Sequence, residues 1–216
     1  MNLSERIDSF SRTDIYPVLT PEFCCGRPFL EILEDVLAGG AGIIQLRDKS
    51  DPKRFAADFR EITNRYSALL IINDSPETAL EIGADGVHLG REDLPVSEAR
   101  KRAPDLVIGA STHNLSQALT AQKNGASYVN IGPVFPTKTK ERLTDFVGCE
   151  AIKEIAPHLK IPFTVMGGIN TENIEKILAA GARHIAMITA ITQADNVRET
   201  TRLLIQKIRS YNSTSP

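Results

Sequence analysis

Gly40-Ala41-Gly42-Ile43-Ile44-Gln45-Leu46-Arg47-Asp48 is one of four stretches that begin Gly-Ala and run into alternating apolar positions. The others are Gly83-Ala84-Asp85-Gly86-Val87-His88-Leu89-Gly90, Gly125-Ala126-Ser127-Tyr128-Val129-Asn130-Ile131-Gly132 and Gly181-Ala182-Arg183-His184-Ile185-Ala186-Met187-Ile188. Each follows a helical stretch, at 30–38, 76–82, 116–124 and 174–180. The glycine ends the helix in a left-handed cap, and the chain then enters a strand. Further apolar runs at 15–19, 68–72, 106–110 and 161–166 have the length of buried parallel strands. Segments 53–66, 96–103, 150–159 and 195–209 supply the remaining helices. Eight strands alternating with eight helices predict an α/β fold, a closed (β/α)8 TIM barrel, as a single domain over 1–216. An open doubly wound sheet is the competing architecture, but it carries a glycine fingerprint after its first strand, and Leu19-Thr20-Pro21-Glu22-Phe23 has none. Segment 4–10 predicts an extra helix under the barrel, and 212–216, small and polar, a frayed end.

Composition narrows the partners. The 216 residues are near the lower end for eight β/α units. The chain has 25 basic and 27 acidic residues, a net charge of −2, which argues against nucleic acid or an anionic membrane surface. No window reaches the ~20 apolar residues that cross a bilayer, and Met1-Asn2-Leu3-Ser4-Glu5-Arg6 is no signal pattern, so a cytoplasmic protein is expected. Three cysteines without CxxC spacing offer neither a disulfide framework nor a zinc site. Small anionic molecules remain as ligands; oligomeric state is not legible.

Period-two alternation places Gln45, His88, Asn130 and Ala186, the sixth position of each repeat, on the lumen side of the barrel. His88 and Asn130 read as a satisfied polar layer. Gln45 differs, because Arg47 and Lys49 continue its alternation as long donors on one face, a costly arrangement unless an anion arrives there. Barrel enzymes do their chemistry at the carboxyl ends of the strands. Those ends also carry Asn73-Asp74 and Gly90-Arg91-Glu92-Asp93, two carboxylates with no His/Cys set, which suit a hard cation such as Mg²⁺ beside a diphosphate. Asp74 also reads as a helix cap, and Ser111 as either a ligand donor or a cap. The polar loop after strand 6 holds Thr137, Lys138, Thr139 and Lys140, a phosphate clamp on a lid-like segment. Gly167-Gly168 after strand 7, with Ile188 and Thr189 after strand 8, lie where barrels bind phosphate. Two anion sites are therefore expected, the one at strands 2 to 4 with a metal.

Gln45-Leu46-Arg47-Asp48-Lys49, Asn73-Asp74, the Gly83 to Asp93 segment, Gly132-Pro133-Val134-Phe135-Pro136-Thr137-Lys138-Thr139-Lys140 and Gly167-Gly168-Ile169, in that order, resemble the thiamine-phosphate synthase family. The resemblance spans strands 2 to 8, and the Gly132 to Lys140 motif is its most specific part. It implies a Mg²⁺-assisted transferase that condenses a pyrimidine pyrophosphate with a thiazole phosphate, by a displacement in which C–O cleavage precedes attack. It implies that Gln45, Arg47, Lys49, Asn73, Ser111 and Lys140 bind the pyrimidine pyrophosphate. It further implies that Arg47, Lys49, Ser111 and Lys140 act in catalysis and that Asp74 and Asp93 hold Mg²⁺. Thr137, Lys138, Thr139, Gly167, Ile188 and Thr189 bind the thiazole phosphate. The family usually has Ser at the position of Thr189 and Glu at that of Asp48. A thiazole tautomerase on a similar barrel, a non-catalytic phosphate-binding barrel and a sugar-phosphate isomerase are the alternatives. The tautomerase does not need the diphosphate–metal half-site, and the isomerase leaves the second anion site without a purpose.

Overall fold

A computed structural model describes residues 1–137, 139 and 146–214. Eight parallel strands pair in sequence order, and the last closes on the first: β1 (Ile15–Leu19), β2 (Ile43–Leu46), β3 (Leu69–Asn73), β4 (Gly86–Leu89), β5 (Val107–Thr112), β6 (Tyr128–Ile131), β7 (Phe163–Val165) and β8 (His184–Met187). The crossovers are α2 (Phe29–Ala38), α3 (Ala56–Arg65), α4 (Pro76–Glu81), α5 (Val96–Arg102), α6 (Leu115–Lys123), α7 (Gly148–Ile155) and α8 (Ile174–Ala179). Before the barrel lies α1 (Leu3–Ser11); after β8 come α9 (Thr189–Thr192) and α10 (Val197–Thr214). Gly40, Gly83, Gly125 and Gly181 all take positive φ, the left-handed stop on which the repeat reading depends.

Alternation along the strands separates two cores. Ile44, Leu46, Leu70 and Ile72 join the large cluster under the helices, whereas Ile43, Leu69 and Ile71 join a small inner cluster with Tyr16, Val107, Tyr128 and Ala186. Neighbouring residues thus point to opposite sides of the wall, with Gln45 inward as expected. The inner cluster is closed from the strand-beginning end by α1. A capping box between Asn2 and Glu5 starts that helix, and Phe10 stacks on Tyr128 with ring centroids 4.5 Å apart. Asp85 fixes the same helix: its buried carboxylate lies 3.4 Å from Arg6 and 2.8 Å from Arg60, and accepts the Leu70 N–H.

The boundaries move where local chemistry intervenes. Helix α3 starts at Ala56 rather than 53, because the Asp51 side chain accepts the Lys53 N–H in a turn ahead of it. Pro162, which has no N–H to donate, holds β7 to Phe163–Val165 within the expected 161–166. Strand β5 runs two residues past its expected end, so Ser111 lies inside it. Helix α10 continues to Thr214, where the end from 212 was expected to fray. The short α9 was not foreseen. Among the described residues no helix is long and apolar enough to cross a membrane.

Candidate active site

At the β2 exit, the Arg47 N–H donates to the Leu19 carbonyl at 2.8 Å, extending the sheet one step. The buried Asp48 then anchors a turn: Oδ1 accepts from the Ser50 N–H at 2.9 Å, the Ser50 hydroxyl at 2.6 Å and the Asp51 N–H at 3.3 Å. Burial works against its charge, but these donors hold the Asp48 carboxyl below its usual range. With Asp48 tied to its own loop, it does not neutralise its neighbours. Arg47 is half-buried and Lys49 exposed, and both act electrostatically on Asp74 across the mouth. Gln45 shares their face but lies deeper: it is 2% exposed, and its Nε2 donates to the Tyr16 hydroxyl.

Asp74 stands at the β3 exit with φ of 64°, a left-handed conformation that non-glycine residues adopt at a cost of order 1–3 kcal/mol. Its N–H donates to the His88 carbonyl at 2.8 Å. Ser75, not Asp74, caps α4, accepting the Thr78 N–H, so the helix leaves the Asp74 carboxyl free. That carboxyl hydrogen-bonds Asp93, whose Oδ2 accepts the Gly90 N–H at 2.6 Å. Burial first, then the hydrogen bond and charge of Asp93, push Asp74 up to about 6, with Lys49 and Arg47 pulling the other way. Two carboxyls forced together beside two cations form a donor set that fits a hard divalent ion taking one or two carboxylates and further oxygens from its substrate. No cluster of three or more potential ligands occurs among the described residues.

Asn73 pairs in register with His88, and Ser111 with Asn130, so both stand in the upper lumen beside this carboxyl pair. Asn114 caps α6, which leaves the Ser111 hydroxyl to His88 Nε2 at 3.0 Å. The other half of the mouth is built by two loops bonded edge to edge. Val134 N–H donates to the Met166 carbonyl at 2.9 Å and Phe135 N–H to that of Gly167 at 3.0 Å. Gly167 and Gly168 have φ of 109° and 63°, and a Cβ on Gly167 would sit 2.5 Å from that of Pro133. A small recess beside them is lined by Thr137, Thr139, Gly167, Gly168, Ile188 and Thr189, and the two threonine hydroxyls of the loop lie 2.9 Å apart. Thr189 opens α9, whose end is held by Arg27: its guanidinium donates to the carbonyls of Thr192 and Ala194. Lys138 and Lys140 lie outside the described residues.

A larger cavity, about 230 Å³, opens at the opposite end among Arg12, Thr13, Asp14, Gly42, Ser67 and Arg209. It lies where the strands begin, Arg209 is paired there with Asp14 at 2.7 Å, and barrel chemistry uses the other face. Cys24 is buried with its Sγ donating to the Thr20 carbonyl, and burial pushes its thiol up, away from reactivity. What the sequence reading missed is the partnership of Tyr16 and Tyr128 with His88. Tyr128, two residues before Asn130 in the same repeat, shares its inward parity, a signal that was available; Tyr16 lies outside the four repeats.

The family model for thiamine monophosphate synthase matches residues 15–191. A thiamine-phosphate synthase of Shouchella clausii is 40% identical over 88% of this chain and 94% of its own length. The corresponding enzyme of Caldicellulosiruptor bescii is 38% identical over 98% and 99%. The solved thiamine phosphate pyrophosphorylase of Pyrococcus furiosus superposes with a TM-score of 0.83 at 36% identity, covering 96% of this chain and 98% of that one. The match includes every strand of the barrel, from the first residue of β1 to the α9 turn that follows β8, and the chain belongs to the thiamine monophosphate synthase family.

Proposed function

We propose that the two halves of the mouth divide the reaction between them, one handling the leaving diphosphate and the other the incoming nucleophile. The enzyme is a transferase that joins 4-amino-2-methyl-5-hydroxymethylpyrimidine pyrophosphate to thiazole phosphate, giving thiamine phosphate and pyrophosphate. The observation that carries the division is the Asp74–Asp93 contact, with Arg47 and Lys49 acting on the same carboxyl. Asp74 and Asp93 would hold Mg²⁺, which would supply positive charge to the departing diphosphate. Arg47 and Lys49 face the same polyanion, and Lys140 joins them on the grounds of the family motif alone. Gln45, Asn73 and Ser111 orient the pyrimidine. Thr137, Thr139, Gly167, Ile188 and Thr189 seat the thiazole phosphate, with Lys138 assigned there from the motif.

In this reading the C–O bond breaks first, its electron pair leaving with pyrophosphate. The thiazole nitrogen then donates its lone pair to the resulting pyrimidine methylene cation. Positioning and electrostatics carry the catalysis, and no side chain becomes covalently attached. The test is an assay with both substrates that measures thiamine phosphate and pyrophosphate together, with Mg²⁺ present or chelated. Chelation is expected to abolish turnover reversibly, and Asp74→Asn to lower it on the order of 10²–10³-fold, as for other lost electrostatic groups. Wild-type turnover by Asp74→Asn in the same Mg²⁺ concentration would remove the metal from this half of the site.

A further inference from the structure

A line of buried hydrogen bonds crosses the lumen and joins two residues assigned above to the pyrimidine. Gln45 Nε2 donates to the Tyr16 hydroxyl at 2.8 Å, and the Tyr16 and Tyr128 hydroxyls lie 2.9 Å apart. Tyr128 is 2.9 Å from His88 Nδ1, and His88 Nε2 is 3.0 Å from Ser111 Oγ. The three residues in the middle are buried: Tyr16 is 1% exposed, Tyr128 0% and His88 8%. Nothing in the proposed reaction uses them, yet buried polar groups that served only to fill the lumen could be replaced by apolar ones.

We infer that this line is a one-way relay that fixes the polarity of Ser111, so that its hydroxyl proton is donated into the pyrimidine half-site. Tyr16, Tyr128 and His88 are then positioning residues. The direction follows from proton counting along the line. An amide nitrogen only donates, so Tyr16 accepts from Gln45. The Tyr16 proton has one remaining partner in the line, Tyr128. Were Tyr128 to donate to Tyr16 instead, the Tyr16 proton would be left buried and unpaired, with its full desolvation penalty. Tyr128 therefore donates to Nδ1 of His88. A neutral imidazole carries one proton, which then sits on Nε2 and is donated to Ser111 Oγ. His88 is buried with both ring nitrogens on hydroxyls and no carboxylate hydrogen-bonded to either, an environment that suits the neutral ring. Having accepted from His88, Ser111 turns its own proton outward.

The consequence is a choice of substrate atom. An aminopyrimidine offers acceptors at its ring nitrogens and a donor at its amino group. A donating Ser111 reads a ring nitrogen, whereas an accepting Ser111 would read the amino group. This inference rests on the assignment of Ser111 to the pyrimidine.

Two measurements on the full chain test it. The ¹⁵N spectrum of the histidine side chains, with His88 assigned by its loss in His88→Asn, is expected to place the proton on Nε2. An Nδ1–H ring would mean a relay running the other way, with Gln45 presenting its carbonyl to Tyr16, and would overturn the inference. The second measurement is a double-mutant cycle in kcat/KM for the pyrimidine substrate. Tyr128→Phe keeps the ring that stacks on Phe10. It is expected to lower kcat/KM about tenfold in the wild-type background and less than about twofold in Ser111→Ala, because residues acting through one group are not additive. Equal factors in both backgrounds would make Tyr128 a packing residue only. If Ser111→Ala alone left kcat/KM unchanged, the assignment of Ser111 would fail and the inference with it. An impaired Ser111→Ala with an additive Tyr128→Phe would sink the relay alone. The spectrum is read on the wild type and does not involve Tyr128→Phe, so poor folding of that variant does not shelter the inference.

Discussion

Gly109 sets how close the Tyr128 hydroxyl can come to the wall of the lumen. A Cβ at this position would lie 2.1 Å from the Tyr128 ring and 2.3 Å from its hydroxyl, so the inward slot on β5 is empty because the neighbouring strand fills it. Gly109→Ala forces that ring away or distorts the wall, and overpacking of this kind costs about 1–3 kcal/mol. Activity is expected to fall together with stability. Urea unfolding reads the first effect and kcat/KM for the pyrimidine substrate the second, which should resemble that of Tyr128→Phe. Wild-type kinetics in Gly109→Ala would show that Tyr128 has slack in its position. The contrast with Asp74 is instructive at the same scale. There a side chain is kept despite a left-handed backbone of φ 64°, which glycine would adopt more readily, so the carboxyl matters more than the local strain.

The elements themselves were largely legible, because a parallel barrel repeats one unit and each unit announces its helix end with glycine. Gly40, Gly83, Gly125 and Gly181 mark four strand entries, and the inward parity of Gln45, His88 and Asn130 follows from counting by two. What the pattern left dark depends on contacts distant in sequence. Helix α9 is four residues held from the β1–α2 loop by Arg27, 165 positions away, and no local propensity encodes that tether. The candidate site divides in the same way. Arg47, Lys49, Asp74 and Asp93 were readable as charges at strand ends. The capping of α4 by Ser75 was not, because it turns on which of two polar neighbours the fold selects. The paired loops after β6 and β7 carry their own prediction. Gly167→Ala places a methyl 2.5 Å from Pro133 at φ 109°, so the recess beside Thr137 and Thr189 should deform. The KM for thiazole phosphate is expected to rise about tenfold or more, with the pyrimidine KM changing far less, as fits loss of a backbone-built anion seat. An equal rise in both would place the damage in the barrel as a whole.

Across the whole molecule, the barrel is closed beneath by α1 and carries the proposed substrate sites above, and the polar line through Tyr16 and Tyr128 connects the two ends through Phe10. A lumen packed with buried side chains exacts a pH dependence. His88 falls from 6.5 to about 4, with burial the main cause and the Asp93 charge opposing it. Between those values the unfolded chain binds the proton and the folded chain does not, so stability is complete above about 6.5 and is lost as pH falls toward 4. Asp74 acts in the opposite sense in the metal-free protein: its raised value means the folded state takes up a proton first, and acid favours it. His184, lowered by burial, adds to the loss. A single acid titration of the wild type therefore blends opposing contributions, and a comparison isolates His88. In His88→Asn the Asp74 and His184 contributions persist and that of His88 is gone. Between pH 7 and pH 4.5 the wild type is expected to lose about 2–3 kcal/mol more than His88→Asn, two units below 6.5 at 1.36 kcal/mol each. Urea unfolding of both proteins in chelator at the two pH values supplies the four free energies. Parallel losses would mean that His88 takes up its proton in the fold as readily as in the unfolded chain, so that burial in the lumen does not keep the ring neutral below pH 6.5.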